Sequence, residues 1–89
     1  MKKFAFIGAG SFIFTRNLVK VLLTFDAFKD CEICLMDINP ERLEMIRRAC
    51  DKIVKALSVP ATITTTQSRA EALTGADGVV CTVFNGGTE

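Results

Sequence analysis

Four short apolar runs alternate with three stretches of helical periodicity along this chain, and that alternation limits the fold more than any single residue does. Phe4-Ala5-Phe6-Ile7 is the first run and stops at Gly8-Ala9-Gly10-Ser11. From Ser11 to about Phe28, apolar residues recur at Phe14, Leu18, Val21, Leu22 and Phe25, which is helical spacing. Glu32 to Met36 reads as a second strand. Asn39-Pro40-Glu41 then combines a capping side chain, a proline at the first helical position and an acid in the first turn. The helix that follows places Leu43, Ile46, Cys50, Ile53, Val54 and Leu57 on one face and ends at Val59-Pro60. Ala61 to Thr66 is β-branched but mostly polar, as suits an edge strand. Ser68-Arg69-Ala70-Glu71 is a capping box for a short helix that Gly75 ends. Gly78 to Phe84 is a fourth strand, apolar enough to be buried on both faces, and Asn85 to Glu89 is a loop. Strands that alternate with helices pair in parallel, with right-handed crossovers. The expected fold class is therefore α/β: a βαβαβαβ parallel sheet of order 3-2-1-4 with helices on both faces.

Composition removes several functions. Eighty-nine residues make one small domain with a modest core. A net charge of +1 offers no electrostatic case for nucleic acid or an anionic membrane surface. There is no His, Tyr or Trp, so no His or Tyr base and no imidazole–metal site exists within these residues. Taken alone, the chain is expected to bind rather than catalyse. The N-terminal basic and apolar start is broken by Gly8 after too few residues for a signal peptide, and no stretch is long enough to span a membrane. Cys31, Cys34, Cys50 and Cys81 lie in apolar runs. Cys31 and Cys34, three apart along a strand, face opposite sides, which argues against a zinc or redox pair. Buried free thiols in a reducing, cytoplasmic setting are the expectation.

The glycines between the first strand and first helix point to a ligand. Gly8 allows a tight turn out of the strand, and Gly10 lets backbone approach a pyrophosphate with no Cβ in the way. The free N–H groups at the helix start then face the anion. Ser11 adds a hydroxyl donor or caps the helix, and Phe12 and Ile13, which follow it at the helix start, are further candidate cofactor contacts. Ile13 stands where the G-x-G-x-x-G fingerprint has its third glycine, so the helix is expected to ride slightly further from the strand. Asp37, at the end of the second strand, lies where a carboxylate accepts from the ribose hydroxyls of a dinucleotide and repels a 2′-phosphate, favouring NAD over NADP. It follows Gly10 by 27 residues, against the usual ~20. Capping of the turn before Asn39 is the alternative role for Asp37. Asn39 is a further candidate contact, although helix capping competes for its side chain; Arg42 either lies over the adenine or is solvated. Asn85 and Gly86, with Gly87, follow the fourth strand beside the switch in strand order, where ligands bind, unless they form an ordinary turn.

Together these residues resemble the start of glycoside hydrolase family 4. Its members open with a strand, Gly-Ala-Gly-Ser and an apolar helix containing Phe. Their second strand ends in Leu-Met-Asp-Ile-(Asp/Asn)-x-x-Arg-Leu, and a Gly-Gly pair follows the fourth. Here these are Phe6 to Ser11 with Phe14, then Leu35 to Leu43, then Gly86-Gly87. The chain is most similar to the α-galactosidase and α-glucosidase branch. The resemblance implies a Rossmann-like NAD-binding segment of an α-glycosidase that also uses a divalent metal, typically manganese. NAD oxidises the sugar at C3, a base removes the C2 proton, and the glycosidic oxygen leaves by elimination, outside the two-carboxylate scheme. The family's metal ligands, a Cys and a His, and its base, usually a Tyr, lie downstream, so no catalytic or metal residue carries over. Residues 1–89 are then the N-terminal part of a dinucleotide-binding domain, inactive alone, with an open apolar edge at the fourth strand that favours self-association into a homo-oligomer. Alternatives are the NAD-binding half of a lactate- or malate-type dehydrogenase, which usually keeps the third glycine, and a stand-alone nucleotide-binding module.

Overall fold

The structure is a computed structural model that describes residues 2–8 and 12–81. In chain order it has β1 (Lys3–Ile7), α1 (Phe12–Leu22), a 3-10 turn (Asp26–Phe28), β2 (Glu32–Met36), α2 (Pro40–Leu57), β3 (Thr62–Thr66), α3 (Arg69–Leu73) and β4 (Gly78–Cys81). The four strands pair in parallel in the order β3-β2-β1-β4. The expected α/β, Rossmann-like architecture is therefore present.

Alternation along the strands divides the sheet into two faces. Phe6, Ile33 and Leu35 face α1 and α2, where they form the main core with Val19 of α1, Leu23 just past its end, and Leu43, Ile46 and Cys50 of α2. Phe4 borders this core. Its ring meets Phe28 edge-on at 5.1 Å and lies over Gly78, where an added Cβ would come within 2.7 Å of it. On the other face, Ala5, Cys34 and Met36 pack against Ala72 of α3. Helices thus cover both faces. Lys3 ties the second layer to β1: its ammonium donates to the carbonyls of Thr74 at 2.7 Å and Glu71 at 3.2 Å, at the C-terminal end of α3.

Local chemistry explains the helix limits. Asn39 caps α2 through its side-chain oxygen, which accepts the N–H groups of Glu41 and Arg42 at 3.0 and 3.1 Å. Ser58 ends α2 in the left-handed region at φ 54°. Its N–H donates to the Lys55 carbonyl and that of Val59 to the Val54 carbonyl, the paired bonds of a Schellman cap. Glycine adopts this conformation without the Cβ penalty, so Ser58→Gly is expected to raise unfolding stability by about 1 kcal/mol, read by urea denaturation. At α3, Ser68 Oγ accepts the Glu71 N–H at 3.2 Å, but Thr66 Oγ1, not the Glu71 carboxylate, accepts the Ser68 N–H. The capping box is therefore half formed.

An ion network runs along α2, with Arg47 bridging Glu44 at 2.6 Å and Asp51 at 2.7 Å and Arg48 reaching Glu44 at 3.0 Å. Bonds from Arg47 and then Arg48 hold the Glu44 carboxyl at about 2, against a usual 4.5. A group depressed on folding stabilises above its unfolded pKa and loses that contribution as pH falls through its folded one. Wild-type protein should accordingly melt above Glu44→Gln at neutral pH, with the gap closing between about pH 4.5 and 2. A gap unchanged at pH 2 would remove the network as its cause.

Three expectations change. The first helix does not run to Phe28. After Leu22 the Thr24 N–H and hydroxyl both turn to the Val21 carbonyl, at 3.1 and 2.6 Å, and the 3-10 turn then swings Phe28 onto Phe4. Nor is the buried face of α1 the Phe14-Leu18-Val21-Leu22-Phe25 stripe: Phe14, Val21 and Phe25 are exposed, while Thr15, Val19 and Leu23 are buried. The fourth strand, finally, is not buried on both faces. Val79 is 49% exposed and Cys81 is exposed, because β4 is an edge strand and the short α3 packs over β1 and β2 instead. Residues 82–84 of that expected strand lie outside the described residues. Cys31, Cys34 and Cys50 are free and buried as expected, with Cys31 and Cys34 in the cores of opposite faces. Burial, more than the nearby Asp51, pushes the Cys50 thiol up to about 12, and burial also raises Cys31.

Candidate functional site

In an open parallel sheet, ligands collect at the carboxyl ends of the strands where the order reverses. Here that edge is defined by Ile7, which is in register with Met36 on one side and Cys81 on the other. Gly8 comes next on β1. Its φ of +78° turns the chain off the sheet, in a region that side chains resist. Its N–H still donates to the Met36 carbonyl at 2.9 Å, so the turn starts from a fixed point.

Asp37 occupies the matching position just past β2, one residue beyond the Ile7–Met36 pair as Gly8 is. Its N–H extends the ladder to the Thr66 carbonyl at 3.4 Å, and its Oδ1 accepts the Asn39 N–H at 2.9 Å. The turn-capping role expected as the alternative is therefore present: this bond fixes the carboxylate where the chain leaves β2. Asn39 behaves differently. Its side-chain oxygen is engaged at the start of α2, so it supports Asp37 and the helix more directly than it presents that oxygen to a ligand. Arg42 is exposed.

Phe12 opens α1, and Ile13 follows. Ile13 is 67% exposed, so its side chain leaves the helix–sheet interface. The expected displacement of the helix by this residue loses its cause: Thr15, two positions on, occupies the interface and is fully buried. Gly10, Ser11, Asn85 and Gly86 lie outside the described residues.

Thr15 was not among the sequence candidates. Its hydroxyl is buried, and Oγ1 has no hydrogen-bond partner among the described residues. The available signal was its i, i+4, i+8 spacing with Val19 and Leu23, obscured by reading threonine as polar. No three His, Cys, Asp or Glu side chains gather among the described residues, so the implied manganese finds no ligand set there. A groove of about 600 Å³ lies between α1 and α2, bordered by Arg16, Lys20, Arg48 and Lys52; none of the candidate ligand residues lines it. Among the described residues no helix is long and apolar enough to cross a membrane.

Strand order, a left-handed glycine turn at the first crossover and a carboxylate ending the neighbouring strand define a Rossmann-like α/β segment whose ligand edge is formed by β1, β2 and β4. Residues 3–89 match the family described as Family 4 glycosyl hydrolase, and the chain belongs to that family. It is 39% identical over 87 residues to an alpha-galactosidase of Rhizobium meliloti (strain 1021), covering 98% of this chain and 18% of that protein. It is 33% identical over 87 residues to an alpha-galactosidase of Bacillus subtilis (strain 168), covering 98% and 20%. The chain spans about a fifth of the length of these relatives. The family match displaces the dehydrogenase alternative.

Proposed function

We propose that this chain is the NAD-binding segment of a family 4 α-glycosidase, with α-galactosides as the substrate class. The observation that carries the reading is the placement of Gly8 and Asp37 next to each other at the carboxyl ends of β1 and β2, one turning the chain off the sheet and the other offering a fixed carboxylate. The N–H groups at the start of α1 point toward the same edge and attract an anion through the helix dipole. Asp37 accepts from the adenosine ribose hydroxyls, and its charge disfavours a 2′-phosphate. NAD, when bound, supplies reversible hydride transfer at C3 of the sugar. The residues of this segment hold and orient it. With no His or Tyr among its 89 residues, the segment supplies no such group to move the C2 proton and is inactive alone. The α-galactosidase names of the two relatives support the substrate class.

Calorimetric titration of the full-length protein tests this. Saturable heat with NAD, weaker binding of NADP, and a loss of about tenfold or more in NAD affinity for Asp37→Ala are expected. No heat with NAD, or an Asp37→Ala titration that overlays wild type, would sink the reading.

A further inference from the structure

Two cavities meet along α2 and carry opposite charge. One is the groove of about 600 Å³ between α1 and α2. Arg16 and Lys20 border it from α1, Arg48 and Lys52 from α2, and among the described residues no acid lines it. Each pair is spaced i, i+4, which sets like charges side by side on its helix. Lys20 and Lys52 have no ion-pair partner among the described residues. The other cavity, of about 400 Å³, lies over the first turns of α2 and is lined by Pro40, Glu41, Glu44, Met45 and Arg48. Met45 and Arg48 border both, so the acidic and basic ends form one continuous surface. At the join Met45 is 57% exposed.

A surface that is acidic at one end, basic at the other and apolar at its middle is complementary to itself in reverse. A two-fold axis makes that reversal, because residue i of one copy then meets j of the other and j meets i. An axis midway between Met45 and Arg48 sets Glu41 opposite Lys52 of the second copy, each roughly 8 Å from the axis along its helix. A small anion held by the groove would use the basic end alone and leave Glu41 and Met45 without a role. We propose that this face is an isologous interface between two copies of the chain. Glu41 of each pairs with Lys52 of the other, and Met45 packs on the aliphatic stem of the opposite Arg48. Arg16 and Lys20 add positive potential at the end that receives Glu41. None of the candidate dinucleotide contacts lines either cavity, so the pairing stands apart from the NAD reading and from the β4 edge.

The test is sedimentation velocity at low salt on the full-length protein as wild type, Lys52→Glu, Glu41→Lys and an equimolar mixture of the two variants. Both side chains are exposed in the single chain, so neither change disturbs the core. Wild type is expected to dimerise. Each variant alone should weaken the dimer by about tenfold or more, because each sets like charges across the axis twice. The mixture should recover wild-type association, since opposite charges then meet at both contacts; a loss of fold would not be rescued in this way. A wild type that stays monomeric up to about 100 μM would overturn the proposal. So would variants that associate as wild type does, or a mixture that associates no more tightly than its components.

Discussion

Phe6→Ala should cost about 3–5 kcal/mol of unfolding stability, the range for deleting a buried aromatic side chain. Phe6 is 1% exposed and sits on the central strand β1, between β2 and β4, where its ring meets residues from both helices of the main layer. A cavity there cannot close by a loop shift, because the strand is hydrogen-bonded on both sides. A chain this size holds about 5–10 kcal/mol in all, so the variant should lose most of its cooperative urea transition. Ile13→Ala is the matched control. Its side chain is mostly in solvent, and the change should stay within about 0.5 kcal/mol. A Phe6→Ala protein with the midpoint of wild type would mean that the core lies elsewhere.

Gly8→Ala should act on stability and ligand together. At φ +78° an added Cβ costs about 1–2 kcal/mol, seen as a lower midpoint without ligand. The same turn leads the chain toward the proposed pyrophosphate site, so NAD affinity should fall by about tenfold or more in calorimetry as the turn shifts. Gly75→Ala separates the two effects. Gly75 has a similar φ of +71° with nothing within 4 Å of the added Cβ, and it lies beyond α3, away from the crevice. Gly75→Ala should lower stability by a similar amount and leave NAD affinity alone. Equal loss of affinity in both variants would place the effect in general destabilisation.

Much of the fold was legible because its signals are local. Asn39-Pro40-Glu41 starts a helix in almost any context, and the structure shows the side-chain bonds that make it do so. Gly75 takes the positive φ expected after a short helix. Asp37 was legible as a candidate because a carboxylate at a strand end is informative before any packing is known. What escaped were choices between equivalents. Two stripes at helical spacing run along α1 and its exit, and in the more apolar one Phe14, Val21 and Phe25 are exposed while only Leu18 and Leu22 pack against the core. Neither period nor hydrophobicity separates them; the position of β1 and α2 does. Ile13 was assigned to an interface for the same reason, by motif position instead of by the phase of the helix.

The sequence by itself determined the order of strands and helices, the turn glycine at position 8, the acid at position 37 and the lack of His and Tyr, since each follows from residue chemistry or from spacing within one element. Tertiary structure decided which face of α1 is buried, that β4 exposes Val79 and Cys81, and that the Thr15 hydroxyl is enclosed with no partner among the described residues. Those outcomes depend on which neighbours are packed against a surface, and burial is a property of two surfaces together, which one stretch of chain cannot encode.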